Sequence, residues 1–140
     1  MREIVLDTET TGLSVENGDR IIEIGCIELL NHMPTGKTLQ IYFNPETKEA
    51  SDEAIKIHRL DNDFLKKQSF FRNKVEDIMK FLSNDILVMH NAQFDIKMIN
   101  NELNICGRPP LDNQIIDTLS LARKRFGSAA ASLDALCKKF

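Results

Sequence analysis

The stretch Ile4-Val5-Leu6-Asp7-Thr8-Glu9-Thr10-Thr11-Gly12 decides how the rest of the sequence is read. Its apolar opening predicts a buried β-strand over residues 3–7. The period of two along a strand places Asp7 and Glu9 on one face. Two close carboxylates repel, and both stay ionised near neutral pH if a divalent cation sits between them. Oxygen donors of this kind suit Mg²⁺ or Mn²⁺. The spacing alone is weak, because turns and helix caps use it too, and Asp61-Asn62-Asp63 offers a similar one in a stretch that reads as a loop. The position at the C-terminal end of a first buried strand adds weight, since open α/β sheets place ligands at such ends.

Working outward, Ile21, Ile22, Ile24, Ile27, Leu29 and Leu30 mark a second strand. Asn31 to Gly36 supply turn chemistry, and Leu39, Ile41 and Phe43 alternate as a third strand. Pro45 ends this meander, and Ser51 is a good N-cap for a short helix through His58. Val75, Ile78, Met79 and Leu82 recur at helical spacing, Ile86 to Met89 form a short strand, and a helix follows from Ala92 to Ile105. Gly107 and then Pro109-Pro110 stop it. Ile115-Ile116-Asp117 reads as a fifth strand, with helices near Leu119–Phe126 and Leu133–Phe140. The order predicts an α/β fold, a mixed five-stranded sheet flanked by helices.

Composition agrees with one domain. The 140 residues include 42% apolar residues, with 18 Lys+Arg against 21 Asp+Glu. A chain this long buries roughly two thirds of its unfolded surface, enough for one core without staples. Cys26, Cys106 and Cys137 show no C-x-x-C spacing, and their odd number points to a reducing, cytoplasmic setting. No signal-peptide pattern opens the chain, and no apolar run approaches the ~18 residues of a membrane span. The net charge of -3 divides into -7 over residues 1–117 and +4 over residues 118–140. A protein so charged needs bound cations or a local basic edge to handle a polyanion. Arg123-Lys124-Arg125 and Lys138-Lys139 could form that edge, although solvated helix faces are the favoured reading of both runs.

A second constellation is His90-Asn91-Ala92-Gln93-Phe94-Asp95-Ile96. At about 100° per residue, Phe94, Met98, Ile99 and Leu103 define an apolar helix face, and Asp95 falls within its arc. An inward carboxylate costs several kcal/mol unless a cation or donors meet it, whereas favourable contact with the helix dipole is a smaller effect. Clustered acids of this kind suit phosphoryl chemistry with two cations ~4 Å apart.

At this length both motifs are specific, and the chain resembles the DnaQ-like 3′→5′ exonucleases of the DEDD group, most closely their epsilon, or proofreading, branch. Residues 4–13 match the first exonuclease motif and residues 90–96 the second. Ile21-Ile22-Glu23-Ile24-Gly25, Ile116-Asp117-Thr118-Leu119 and Ser132-Leu133-Asp134-Ala135-Leu136-Cys137 add the epsilon flavour. The resemblance implies a ribonuclease-H-like fold and hydrolysis of phosphodiesters at DNA 3′ ends with two Mg²⁺ or Mn²⁺ ions. It makes Asp7 and Glu9 metal ligands and Asp95 a further catalytic acid, and it places Asp7, Glu9, Glu53 and His58 at the substrate. It also implies the DNA polymerase III alpha subunit as a partner, without the tail that usually contacts it. Asp117 reads as structural, an N-cap for the helix that follows.

The family's third motif, H-x-x-x-x-D, supplies a general-base His and a fourth Asp. The three histidines here are His32, His58 and His90, so that motif is missing from residues 1–140. The expectation is a single exonuclease domain cut short before its C-terminal catalytic helix, with little activity as it stands. Two alternatives remain: a non-catalytic remnant that serves as a binding module, and a 3′→5′ exonuclease acting on RNA.

Overall fold

A computed structural model describes residues 1–126. The predicted helix near Leu133–Phe140, the Ser132–Cys137 segment and Lys138-Lys139 lie outside the described residues. The sheet has five strands in the order β3-β2-β1-β4-β5. They are β1 (Arg2–Thr10), β2 (Ile21–Leu30), β3 (Met33–Tyr42), β4 (Ile86–Met89) and β5 (Ile115–Asp117). β1 pairs antiparallel with β2, which pairs antiparallel with β3, whereas β4 is parallel to both β1 and β5. This is the mixed α/β sheet expected from the sequence, with β1 at its centre.

The helices are α1 (Asp52–His58), α2 (Asn62–Lys66), α3 (Phe71–Leu82), α4 (Ala92–Ile105) and α5 (Thr118–Phe126). Alternation along β1 sends Ile4 and Leu6 into a core shared with Ile24, Cys26, Leu87 and Met89 from the sheet and Ile78, Leu82, Met98 and Leu103 from α3 and α4. The other face of β1 carries Val5, Asp7 and Glu9. Among the described residues, Val5 and Val88 there are half-buried and Ile27 is exposed.

Two local readings are corrected. β3 begins at Met33, because Asn31 and His32 alone make the turn. Both have positive φ and Leu30 pairs with Met33, as in a two-residue hairpin. Gly36, with φ of +90°, falls where the β2–β3 register shifts between Ile27 and Leu29. The stretch at Asp61-Asn62-Asp63 is a helix start rather than a loop: the Asp61 side chain accepts the Phe64 N–H at 2.8 Å and caps α2. The Ser51 cap of α1 is as expected, accepting from Ala54 N at 3.1 Å.

Candidate active site

Asp7 and Glu9 alternate with the buried residues Leu6, Thr8 and Thr10 and share the outer face of β1. Glu9 stands opposite Glu23 of β2, and the ladder then slips between Glu9 and Thr10. Irregular pairing of this kind re-aims side chains next to a site. Like charges directly opposite each other destabilise a sheet, and three acids meet here, with the His90 imidazole as a basic group near Asp7. Desolvation pushes Asp7 above the usual carboxylate range although its side chain reaches solvent. The Thr8 N–H opposes that shift, Glu23 adds to it, and His90 opposes it. Glu9 is raised by burial first, then by Asp7 and Glu23. Glu23 was not foreseen as a site residue, although its place in Ile22-Glu23-Ile24 put a charge between core positions.

Asp95 sits in the first turn of α4 and is buried, with 4% exposure. Its Oδ1 accepts the Thr8 hydroxyl at 2.7 Å. Burial drives its pKa up to about 7; the Thr8 hydrogen bond opposes this, and the charges of Asp7, Glu9 and Asp117 add to it. The three predicted acids therefore share one electrostatic field, with Asp95 reached through the opposite face of β1.

What places Asp95 is a turn held by another carboxylate. Asn91 takes a left-handed conformation, φ 62°, between β4 and α4. Asp117 accepts Asn91 N and Ala92 N at 3.1 Å each and Leu119 N at 2.9 Å. Burial raises its pKa, but these donors outweigh burial and hold it below the usual range. The predicted cap of α5 thus caps α4 as well. Beside it, His90 Nδ1 lies 2.9 Å from the Thr118 hydroxyl.

A cleft of about 510 Å³ opens beside Glu9. Glu9, Glu53 and His58 all line it, together with Phe94 of α4; Asp7 and Asp95 lie outside its lining. His58 Nδ1 accepts the Leu60 N–H at 3.0 Å, which leaves the ring proton of the neutral imidazole on Nε2. That buried nitrogen faces the Thr10 backbone without closing a well-aligned hydrogen bond. Burial lowers the His58 pKa, with the nearby Thr10 backbone and Glu23 opposing, so the ring is neutral at neutral pH. Two apolar residues missed in the sequence flank the cleft, Leu13 at 85% exposure and Ile57 at 79%. Ile57 could have been found as an apolar residue on an otherwise polar helix face. Leu13 closes the first-motif match over residues 4–13, but a single apolar residue after Gly12 has no periodicity to mark which way it faces.

The donor chemistry suits a hard cation. Asp7 and Glu9 offer only oxygens, and a bound cation would offset the repulsion that raises both. Among the described residues, no three His, Cys, Asp or Glu side chains converge on one ligation point. The pair, rather than a closed cage, is what the chain presents.

A family model described as "Exonuclease" matches residues 4–140. The chain belongs to the exonuclease family. It is 46% identical over 144 residues to the DNA polymerase III subunit epsilon of Rickettsia prowazekii (strain Madrid E), which covers all of this chain and 62% of that protein. The subunit of the same name from Salmonella typhimurium (strain LT2) is 37% identical, covering 99% of this chain and 60% of that one. This exonuclease chain therefore spans about three fifths of the length of these relatives. In fold it resembles exonuclease X in complex with 5′ overhanging duplex DNA, with a TM-score of 0.74 and 24% identity over 98% of this chain and 72% of that one. It also resembles the E. coli ExoI–ssDNA complex, with a TM-score of 0.79 and 17% identity over 88% of this chain and 29% of the other. These likenesses confirm the ribonuclease-H-like exonuclease fold. No helix among the described residues is long and apolar enough to cross a membrane.

Proposed function

We propose that this chain carries the nucleotide cleft and most of the acid cluster of a 3′→5′ DNA exonuclease of the polymerase III epsilon, or proofreading, type. The observation that carries the reading is one cleft lined by Glu9, Glu53, His58 and the exposed apolar residues Leu13 and Ile57. A terminal nucleotide has the matching parts: a base for the apolar walls, and sugar and phosphate oxygens for a fixed donor. Glu53 can accept from a sugar hydroxyl. Asp7 and Glu9 would hold Mg²⁺ or Mn²⁺, which when bound supplies Lewis-acid stabilisation of phosphoryl charge. Asp95, held by Thr8, lies behind that pair as an acid that burial keeps partly protonated near pH 7, and a nearby cation would favour its charged form. The DNA polymerase III alpha subunit as partner and a cytoplasmic setting follow from the named relatives as parts of the same proposal.

Residues 1–140 hold no His after His90, so no third-motif proton acceptor is available within them. General-base loss costs about 10²–10⁴ in rate. We expect slow release of mononucleotides from 3′-labelled single-stranded DNA with Mn²⁺, and much faster release once an H-x-x-x-x-D helix is appended. Robust turnover by the 140-residue chain, abolished by Asp7→Ala, would show that the third motif is dispensable.

A second reading, the non-catalytic binding module, is favoured by the lack of three converging ligands among the described residues. Calorimetry with Mn²⁺ separates the two. Heat of binding that disappears in Asp7→Asn supports the enzyme lineage, and no binding by the unaltered chain supports the module.

A further inference from the structure

The connection between β1 and β2 is built around a buried carboxylate that the proposed reaction does not use. Asp19 is 6% exposed. Its Oδ1 accepts the Thr11 hydroxyl at 2.9 Å and its Oδ2 accepts the Ser14 N–H at 3.0 Å. Its own N–H donates to the Ser14 carbonyl at 3.0 Å. The carboxylate lies against the backbone of Gly12: a Cβ there would come within 2.5 Å of Oδ2 and 2.7 Å of Cγ. Lys48 Nζ stands 3.8 Å from Oδ1 and donates to the Asn17 carbonyl at 3.1 Å.

The adjoining residue fixes the same loop to the rest of the fold. Arg20 and Thr11 are joined by their backbones at 2.9 Å, and the Arg20 N–H donates to the Thr11 hydroxyl at 3.0 Å. The Arg20 guanidinium grips the buried Glu102 of α4 with two hydrogen bonds of 2.8 and 2.7 Å. Thr11 to Ser14 is therefore a turn wrapped on a charge, with Leu13 standing out at its crest into the cleft. An exposed leucine gains nothing from solvent, and holding it rigid has its physical use in binding, where pre-ordering cuts the entropy lost on association.

We propose that Asp19 is a positioning residue for the terminal base: it holds the Thr11–Ser14 turn so that Leu13 stands where the base of a 3′-terminal nucleotide packs. The inference rests on the cleft being a nucleotide site. Asp19→Asn keeps the shape but not the charge or the double acceptor. With its oxygen on the Ser14 N–H, its NH₂ must reverse the contact with the Thr11 hydroxyl, which already takes the Arg20 N–H, and Lys48 loses its anion. Leu13→Ala removes the wall itself without touching the core.

The test is a double-mutant cycle, read by calorimetric titration of thymidine 5′-monophosphate with Mg²⁺ into the full 140-residue chain. Asp19→Asn is expected to weaken binding about tenfold and Leu13→Ala by a similar factor, with the double variant no more than about twofold below Asp19→Asn. A general loss of stability would not produce that saturation. Losses that multiply, or unchanged affinity in Asp19→Asn, overturn the proposal. Failure of the unaltered chain to bind the nucleotide overturns the cleft reading and this inference with it. If Asp19→Asn does not fold, Gly12→Ala enters the same cycle, since it displaces the carboxylate from the other side and is judged by the same two outcomes.

Discussion

Asp95 is where burial and charge oppose each other most directly. Its pKa of about 7 in the folded chain stands above the ordinary value of 3.8. Between about pH 4 and 7 the folded state holds a proton that the unfolded chain has lost, so stability falls as pH rises through that window and levels off above it. The swing is on the order of a few kcal/mol. Thermal melts in chelator at several pH values should show this decline, and Asp95→Asn should flatten it; equal slopes in the two chains would refute the assignment. Thr8→Val removes the hydroxyl that Asp95 accepts. It is expected to cost about 1–3 kcal/mol in urea unfolding above pH 7 and less below pH 5, where the protonated acid needs a donor less. Asp95 could be placed from the sequence because its neighbours Phe94, Met98 and Ile99 fixed the helical phase. Thr8 as its partner could not, because that contact joins residues 87 apart in sequence.

At the level of elements, regularity decided what could be read. α1 carries a Ser51 cap and acids in its first turn, and α4 has an apolar face followed by a Gly107 stop; both were legible. α2 was not, because its five residues bury only Leu65 and so show no period. The start of β3 was lost for a different reason: six turn-like residues competed, and only backbone geometry shows that two of them make the hairpin. Asp117 illustrates a function that spacing hides. Its capping of α5 is local and readable, whereas its hold on Asn91 and Ala92 crosses from one strand end to the next. Asp117→Ala should cost about 1–2 kcal/mol or slightly more, since caps of two helices are lost together. Hydrogen exchange checks it: the Asn91, Ala92 and Leu119 amides should speed up as a group, while those of α3 stay protected.

Over the whole molecule, acids that repel one another are set on a sheet anchored by a buried ion pair. Arg20 and Glu102 are both nearly buried, and Glu102 also takes the Ile21 N–H at 3.1 Å. Glu102→Ala leaves the guanidinium buried without its partner and should cost about 3–5 kcal/mol, measured by denaturant midpoint. Mn²⁺ should raise the melting temperature of the unaltered chain in proportion to the logarithm of its concentration. That rise should vanish in Asp7→Asn; a rise that persists would move the cation elsewhere. The net charge of -3, unremarkable as a sum, conceals a local surplus of negative charge on the outer face of β1.

The clasp of Arg20 on Glu102 also bears on how the chain folds. It closes a span of 82 residues, and the Thr8–Asp95 contact closes one of 87. Contacts so distant in sequence form only after the entropy of closing a long loop has been met, so they come late. The β1–β2–β3 meander and the turn held by Asp19 can assemble early from neighbouring segments, but the cleft lacks its Phe94 wall until α4 docks. Recovery of nucleotide affinity during refolding should therefore lag behind sheet formation and coincide with the final, global step.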